Sequence, residues 1–181
     1  MTSLVNHCDV FFSDIVIQNT EHHLNRLIRN IPWEYPKFYG RTISRGVCSM
    51  GRDYAFSGIV MKAQPWDKQI LALMNRINEV HGTSFNACLL NMYPDGNSSI
   101  SPHADNEKEL VAPIIVGSVS LGATRSFILE AKDKSERVVV PLTDGSVLIM
   151  GAACQSFYLH SINKEKHITT PRINLTFRCF V

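Results

Sequence analysis

The chain has no strong excess of charge and few cysteines. Its 181 residues carry a formal net charge of +2 at pH 7, so the total charge does not identify a partner. The five cysteines are scattered and no CxxC pair occurs, which argues against a disulfide framework and against a structural zinc site. We therefore expect reduced thiols.

Long apolar runs and a secretion signal are also missing. No stretch is apolar enough to cross a membrane, and the N-terminus lacks a basic region followed by an apolar one. We expect a cytoplasmic or nuclear protein. The hydrophobic fraction of 45% is ordinary for a globular chain. The length suggests one domain over residues 1–181, and we expect a monomer.

Basic and aromatic residues are interleaved in the segment 26–52, where Glu34 is the only acid. Its cations are Arg26, Arg29, Lys37, Arg41, Arg45 and Arg52. Its aromatic residues are Trp33, Tyr35, Phe38 and Tyr39. Such a mixture can follow a phosphate backbone and stack on bases. A solvated surface explains it equally well.

Two segments have the apolar spacing of amphipathic helices. The first covers residues 19–30, with Asn19 or Thr20 as its N-cap. The second is capped by Asp67 and stopped by Gly82. We expect no other long helix.

From about residue 85 the hydrophobic period changes from helical to two. Short β-rich runs alternate with turn signals such as PDG at 94–96 and DG at 144–145. Many short strands indicate a mainly β sandwich or barrel. The helices that precede them would cover one sheet.

The run RINLTFR separates apolar from polar side chains. Alternate residues of a strand share a face, so Ile173, Leu175 and Phe177 form an apolar face. The other face carries Arg172, Asn174, Thr176 and Arg178. If this face points inward, its two arginines need an anion, and a dicarboxylate would satisfy both. A solvent-facing strand would need none. Asn91 and Tyr93 likewise share a face in LLNMY.

Two histidines and one aspartate have the spacing of a metal site. His103 and Asp105 lie two positions apart after a turn, and His160 ends a β-rich run. Two imidazoles and a carboxylate on strands form the facial triad of non-haem Fe(II) enzymes. A lone HxD is common in surface loops, but its combination with the arginine strand favours iron.

The order NMY, HAD, H and RINLTFR resembles that of the AlkB-type dioxygenases, which use Fe(II) and 2-oxoglutarate to dealkylate nucleic acids. The similarity covers about Phe38 to Phe180. It is strongest to the duplex-DNA-repairing branch in YAFSG, SVSLGATRSF, DGSVLIM and PRINLTFR. The resemblance implies a double-stranded β-helix, or jelly roll, with flanking N-terminal helices. It also implies a nucleotide-recognition lid at about 36–58 and a catalytic core at about 85–181.

The resemblance further implies roles for single residues. Iron would be held by His103, Asp105 and His160. The cosubstrate 2-oxoglutarate would be held by Asn91, Tyr93, Arg172, Asn174, Thr176 and Arg178, the last also acting in catalysis. The nucleic acid would be contacted by Phe38, Tyr39, Gly40, Arg41, Tyr54, Phe56, Asn106, Glu107 and Arg125. The first three of these would form a finger that enters the base stack. Met50 departs from the family, where we expect tyrosine.

The implied activity is oxidative demethylation of N-alkylated bases, such as 1-methyladenine and 3-methylcytosine, in DNA or RNA. Fe(II), 2-oxoglutarate and O2 would take part, and formaldehyde and succinate would be released in a direct reversal of alkylation damage. Two alternatives stay open. One is a 2-oxoglutarate oxygenase for a protein or small molecule, which would not need the basic, aromatic lid. The other is a nucleic-acid-binding module with a degenerate site.

Overall fold

The computed structural model describes residues 3–56 and 58–181, apart from the side chains of Phe38 and Phe56. Within these ranges no helix is long and apolar enough to span a membrane. The helices are α1 (Thr20–Asn30), α2 (Lys68–His81) and α3 (Cys154–Phe157). The strands are β1 (Val10–Phe12), β2 (Lys37–Phe38), β3 (Arg41–Thr42), β4 (Gly46–Met50), β5 (Tyr54–Phe56), β6 (Ile59–Met61), β7 (Ala63–Gln64), β8 (Ala87–Tyr93), β9 (Ile100–His103), β10 (Val116–Gly122), β11 (Arg125–Ala131), β12 (Arg137–Leu142), β13 (Val147–Met150), β14 (Tyr158–Ile162) and β15 (Arg172–Arg178).

Two sheets packed face to face form the body of the protein. The large sheet has the strand order β1-β13-β10-β15-β8-β4-β7, and the small sheet has the order β12-β11-β14-β9. Tyr93 and Leu148 of the large sheet share an apolar cluster with Phe127 and Leu129 of the small sheet. Strands distant in sequence therefore alternate within each sheet. This arrangement confirms the predicted jelly roll.

Strand β15 lies inside the large sheet, between β10 and β8. All of its residues are buried. Ile173, Leu175 and Phe177 pack in the apolar cluster under α1 and α2. Arg172 and Arg178, on the opposite face, are 1% and 4% exposed. The two-faced strand is thus confirmed, and the alternative of a solvent-facing polar side is wrong.

Asp67 caps α2 and ties it to α1. Its carboxylate accepts hydrogen bonds from the backbone N–H groups of Gln69 and Ile70. It also accepts two from the Arg26 guanidinium, at 2.6 and 3.0 Å. Gly82 ends the helix with a φ of 62°. The predicted cap and stop of α2 are therefore confirmed.

The start of α1 differs from the prediction. Asn19 adopts a left-handed conformation with a φ of 53° and makes no side-chain capping bond. The Thr20 hydroxyl donates instead to Asp144, at 2.6 Å. The predicted side-chain cap is wrong, because the loop before β13 competes for the hydroxyl.

The large sheet begins well before residue 85, where the sequence pattern suggested the first strand. Strand β4 pairs with β8 and is buried at every residue, although it lies within the segment 36–58. A strand buried on both faces shows no alternation of polar and apolar residues. The run GVCSM therefore carried no period-two signal. It belongs to the core rather than to an exposed lid.

Two short hairpins lie outside the two main sheets, the first within that segment and the second extending beyond it to Met61. The first joins β2 and β3, and its turn residues Tyr39 and Gly40 have φ values of 47° and 74°. Two consecutive positive φ values are typical of the tight two-residue hairpin turn, and glycine adopts one readily. Tyr39 is 91% exposed. The second hairpin joins β5 and β6.

We expect Asp67→Ala to destabilise the protein more than Asp67→Asn. Alanine removes the cap and the ion pair with Arg26, and should cost about 1–2 kcal/mol, whereas asparagine caps as well as aspartate. The asparagine variant should lose less than about 1 kcal/mol. Urea unfolding at pH 7 measures the loss in the free energy of unfolding for each variant. Equal losses in the two variants would contradict the role of Asp67 as the N-cap of α2.

The ion pair should also be pH-dependent. The hydrogen bond from Arg26 lowers the pKa of Asp67. A lowered carboxyl pKa stabilises the fold above the unfolded value of about 4 and loses its effect as the pH falls through the folded value. The difference in the free energy of unfolding between the wild type and Asp67→Asn should therefore be smaller at pH 3 than at pH 7. Urea unfolding at the two pH values measures it.

Candidate metal and cosubstrate site

A cavity of about 560 Å³ lies between the two sheets. Its walls include β8 and β15 of the large sheet and β9 and β14 of the small one. This volume suits a small-molecule ligand. A smaller cavity of about 210 Å³, lined mainly by aliphatic side chains, lies beside α1 and α2. The polar residues singled out in the sequence converge on the larger cavity.

Strands β9 and β14 bring the three candidate metal ligands together. His103 ends β9 and pairs directly with His160 of β14, with ring centroids 4.3 Å apart. Asp105 follows two residues after His103. Each side chain offers a ligand atom, and these atoms lie within 4.8 Å of one another. The set has the composition of a facial triad.

The surroundings of both imidazoles suit a metal ion. Nδ1 of His103 lies 2.8 Å from the carbonyl oxygen of Ser101 and can donate its proton there, which leaves the lone pair on Nε2. Burial lowers the pKa of His160 to about 4, so this ring is neutral at pH 7. Its Nδ1 is buried and lacks a hydrogen-bond partner in the described part of the chain.

A buried ion pair with Arg178 fixes Asp105. The guanidinium donates from Nε and Nη2 to Oδ2, at 3.0 and 2.9 Å. Burial alone would raise the pKa of Asp105, but the positive charge of Arg178, followed by the two histidines, outweighs it and lowers the pKa. The carboxylate is therefore ionised. Because both bonds fall on Oδ2, Oδ1 is left for an ion.

This pair corrects one expectation. Both arginines of β15 were expected to need an external dicarboxylate, which is wrong for Arg178, because Asp105 supplies its anion. The two residues are 73 positions apart. Alternation within one strand cannot reveal such a partner. In the structure Arg178 therefore bonds Asp105, a candidate metal ligand.

Arg172 does have donors left for a ligand. Its Nη2 donates to the Ser120 hydroxyl at 2.8 Å, whereas Nε and Nη1 are buried with no partner among residues 3–56 and 58–181. Burial lowers its pKa to about 10, so the group stays charged at pH 7. Tyr93 pairs with it across the strands, and the guanidinium lies 5.2 Å from the centre of that ring. A buried cation with two unpaired donors favours a bound carboxylate.

The other predicted cosubstrate residues, Asn91, Asn174 and Thr176, also line the cavity. Some of their hydrogen-bonding groups already bond to neighbouring residues. The Asn174 amide donates to the Ser118 hydroxyl at 2.9 Å. The Asn91 carbonyl accepts from Nε of Arg45 at 2.8 Å. These bonds hold the amides in place along the wall.

Two residues that support this cavity, Arg45 and Ser120, were not recognised from the sequence. Arg45 was grouped with cations expected to contact phosphates, but it lines the cavity and bonds Asn91. Ser120 supports Arg172. Ser118 and Ser120 alternate in β10, so the period-two rule applied to GSVSLG could have found this polar face.

Tyr54 and Glu107 form a polar pair in the cavity wall. The Tyr54 hydroxyl donates to Oε1 of Glu107 at 2.6 Å, while Oε2 is buried with no hydrogen-bond partner in the described structure. Tyr54 is only 3% exposed, and burial raises its pKa. Asn106 lines the cavity nearby, and the side chain of Phe56 lies outside the described residues. The unpaired oxygen of Glu107 can accept a hydrogen bond from a substrate.

The remaining substrate candidates lie elsewhere. Arg125 is 1% exposed, lies outside the set of cavity-lining residues and donates to Glu165 and to three backbone carbonyls, so its contact with a substrate stays a prediction. Gly40 and Arg41 lie with Tyr39 on the exposed β2–β3 hairpin. The side chain of Phe38 is outside the described residues.

A jelly roll in which two histidines of the small sheet, the following Asp105 and Arg172 of the large sheet face one cavity has the architecture of a metal-dependent oxygenase. The chain belongs to the 2OG-Fe(II) oxygenase superfamily, whose profile matches residues 16–178. It is 38% identical to human DNA oxidative demethylase ALKBH2 over 136 residues, which is 71% of this chain and 52% of that protein. It is 41% identical to bovine alpha-ketoglutarate-dependent dioxygenase alkB homolog 3 over 135 residues, which is 69% of this chain and 47% of that protein. The chain thus spans about half the length of these curated relatives.

Solved structures share the fold at lower identity. The structure of OsALKBH1 matches with a TM-score of 0.66 and 19% identity, covering 93% of this chain and 97% of that one. A prolyl hydroxylase from Trichoplax adhaerens, in complex with a peptide fragment, matches with a TM-score of 0.67 and 11% identity, covering 97% and 84%. At these identities the likeness concerns the fold alone.

We expect His103→Ala and His160→Ala each to abolish 2-oxoglutarate decarboxylation while the protein stays folded. Asp105→Ala should also lose about 3–5 kcal/mol of stability, because it leaves Arg178 as a buried, unpaired cation. Succinate production and circular dichroism measure the two effects. Near-normal decarboxylation by any one of the three variants would remove that residue from the metal site.

We expect Arg172→Ala to weaken 2-oxoglutarate binding about ten- to a hundredfold, since a charge-assisted bond is worth roughly 1.5–3 kcal/mol. Titration calorimetry on Mn(II)-loaded protein measures the affinity. Arg76→Ala, on the exposed side of α2, is the matched control and should bind normally. An unchanged affinity in Arg172→Ala would exclude its role.

Proposed function

We propose that this protein is an Fe(II)- and 2-oxoglutarate-dependent dioxygenase that removes alkyl groups from damaged bases in DNA. The observation that carries the proposal is that one cavity combines the His103, Asp105 and His160 triad with two unpaired donors of Arg172. The names of the relatives, DNA oxidative demethylase and alkB homolog, support the substrate class.

The residues of this chain divide the work in the proposed reaction. The triad would hold Fe(II), and Arg178 would keep Asp105 ionised. Arg172 would bind the distal carboxylate of 2-oxoglutarate. Bound Fe(II) and 2-oxoglutarate, with O2, supply the oxidation of the N-alkyl carbon and leave succinate and carbon dioxide. The hydroxylated alkyl group then leaves as formaldehyde, and the unmodified base remains.

The substrate would reach this site as a base turned out of its stack. A base inside a duplex cannot approach a buried metal, and a damaged, weakly paired base leaves the stack at the lowest cost. Oε2 of Glu107 is an unpaired acceptor in the cavity wall. It would receive a hydrogen bond from the exocyclic amino group of the flipped base.

The hairpins would form the nucleotide-recognition surface. Lys37 and Arg41 are exposed on the β2–β3 hairpin on either side of Tyr39. Cations there would neutralise phosphates, and the aromatic tip would fill the gap in the stack. We assign the lid to the hairpins β2–β3 and β5–β6, with β4 belonging to the core of one domain. We further propose that the protein is a monomer and that it acts in the cytoplasm or nucleus; the five free cysteines support the proposed location.

An oxygenase acting on a protein or small molecule is the alternative, which the names of the relatives do not favour. One assay separates the two. The protein is incubated with Fe(II), 2-oxoglutarate and an oligonucleotide carrying 1-methyladenine or 3-methylcytosine, with the unmethylated oligonucleotide as control. We expect formaldehyde and repaired base only from the methylated one, and neither from His160→Ala. Succinate without formaldehyde on every oligonucleotide would overturn the proposal.

We expect Tyr39→Ala to reduce activity on methylated duplex DNA much more than on the single strand, because only a duplex leaves a gap to fill. Phe38→Ala should behave alike. Tyr35→Ala, a half-exposed tyrosine outside the hairpin, is the control. The ratio of duplex to single-strand rates is the readout. If both hairpin variants are folded and keep the wild-type ratio, the hypothesis that these aromatic residues enter the base stack is wrong.

Arg41→Ala tests the phosphate contact separately from the finger. Removing one cation should weaken binding to every sequence and reduce the slope of log affinity against log salt by about one unit. Fluorescence anisotropy over a range of salt concentrations measures the slope, and Arg76→Ala serves as the control. A slope equal to that of the wild type would place Arg41 outside the DNA interface.

A further inference from the structure

Asp105 lies beyond the end of β9, where strand pairing no longer satisfies its backbone. The residue is 1% exposed, so its N–H group needs a partner within the protein. That partner is the side chain of Gln155, whose Oε1 accepts the bond at 2.8 Å. The carboxylate of the same residue is held by Arg178. Gln155 of α3 thus holds the backbone of Asp105, and Arg178 of β15 holds its carboxylate.

Gln155 is itself held in place. It lies in α3, between β13 and β14, and is 6% exposed. Its backbone carbonyl accepts a hydrogen bond from Nζ of Lys132 at 2.8 Å. The chain runs from α3 directly into β14, which carries His160. The bond from Gln155 therefore connects Asp105 to the segment that presents another ligand of the triad.

We propose that Gln155 is a positioning residue of the metal centre, whose side-chain carbonyl fixes the backbone of Asp105 and thereby the direction of its carboxylate. The inference rests on the proposed function only in that the triad binds a divalent metal. Groups that orient metal ligands in this way contribute to affinity without touching the ion.

Only the side-chain oxygen of Gln155 takes part in this hydrogen bond. Nε2 of Gln155 is buried and has no hydrogen-bond partner within the described ranges. A side chain of the same length with an acceptor oxygen should therefore replace it, and one without an acceptor should not. Gln155→Glu keeps the oxygen, and Gln155→Met keeps the length and the unbranched shape but loses it. Ser156→Ala changes an exposed neighbour in the same turn and is the control.

The test uses Co(II) alone, titrated into metal-free protein and followed by its visible absorption. We expect Gln155→Met to bind Co(II) about ten- to a hundredfold more weakly than the wild type. Gln155→Glu and Ser156→Ala should bind close to the wild-type value. Thermal unfolding without metal checks that each variant is folded. The recovery in Gln155→Glu separates positioning from a packing role, which both Gln155 variants would affect alike.

Wild-type Co(II) affinity in Gln155→Met, or an affinity in Gln155→Glu as weak as that of Gln155→Met, would overturn the proposal. If Gln155→Met does not fold, Gln155→Asn decides the matter, because its amide is one methylene too short to reach Asp105. Weak Co(II) binding in Gln155→Asn then supports the proposal, and wild-type binding overturns it. Since no nucleic acid is present, a failure of the DNA assay leaves this result unaffected.

Discussion

The buried contact between Asp105 and Arg178 joins the two sheets at the point where chemistry would occur. Arg178 belongs to the large sheet, and Asp105 follows a strand of the small one. Removing one partner of such a pair costs about 3–5 kcal/mol, because the other is left as an uncompensated charge. The same contact lowers the pKa of Asp105 against the effect of burial. One interaction therefore holds the walls together and keeps the ligand ionised.

The jelly roll allows the two sheets to contribute different chemistry to one cavity. Pairing between β9 and β14 sets His103 beside His160 on the small sheet. Pairing between β8 and β15 sets Tyr93 beside Arg172 on the large sheet. Because both pairs are fixed by strand register, neither wall depends on a flexible loop. The exception is Asp105, which needs side-chain anchors for that reason.

Features governed by local periodicity could be predicted from the sequence. The alternation in RINLTFR gave both faces of β15 correctly, and Asp67 marked the start of α2. Features governed by distant contacts could not. The partner of Arg178 is far away in sequence, and so is Glu165, the partner of Arg125. Strand β4 was not predicted because a strand buried on both faces shows no alternation of polar and apolar residues. Nothing in the sequence distinguishes Gln155 from an ordinary helix residue.

If metal and cosubstrate share one site formed by both sheets, each should strengthen the binding of the other. Calorimetric titration of 2-oxoglutarate into metal-free and Mn(II)-loaded protein measures this coupling directly. We expect the affinity for 2-oxoglutarate to rise on metal loading by a factor within the usual range of about 5–150. We expect the same factor for Mn(II) when 2-oxoglutarate is already bound. Equal affinities with and without the metal would contradict the shared site.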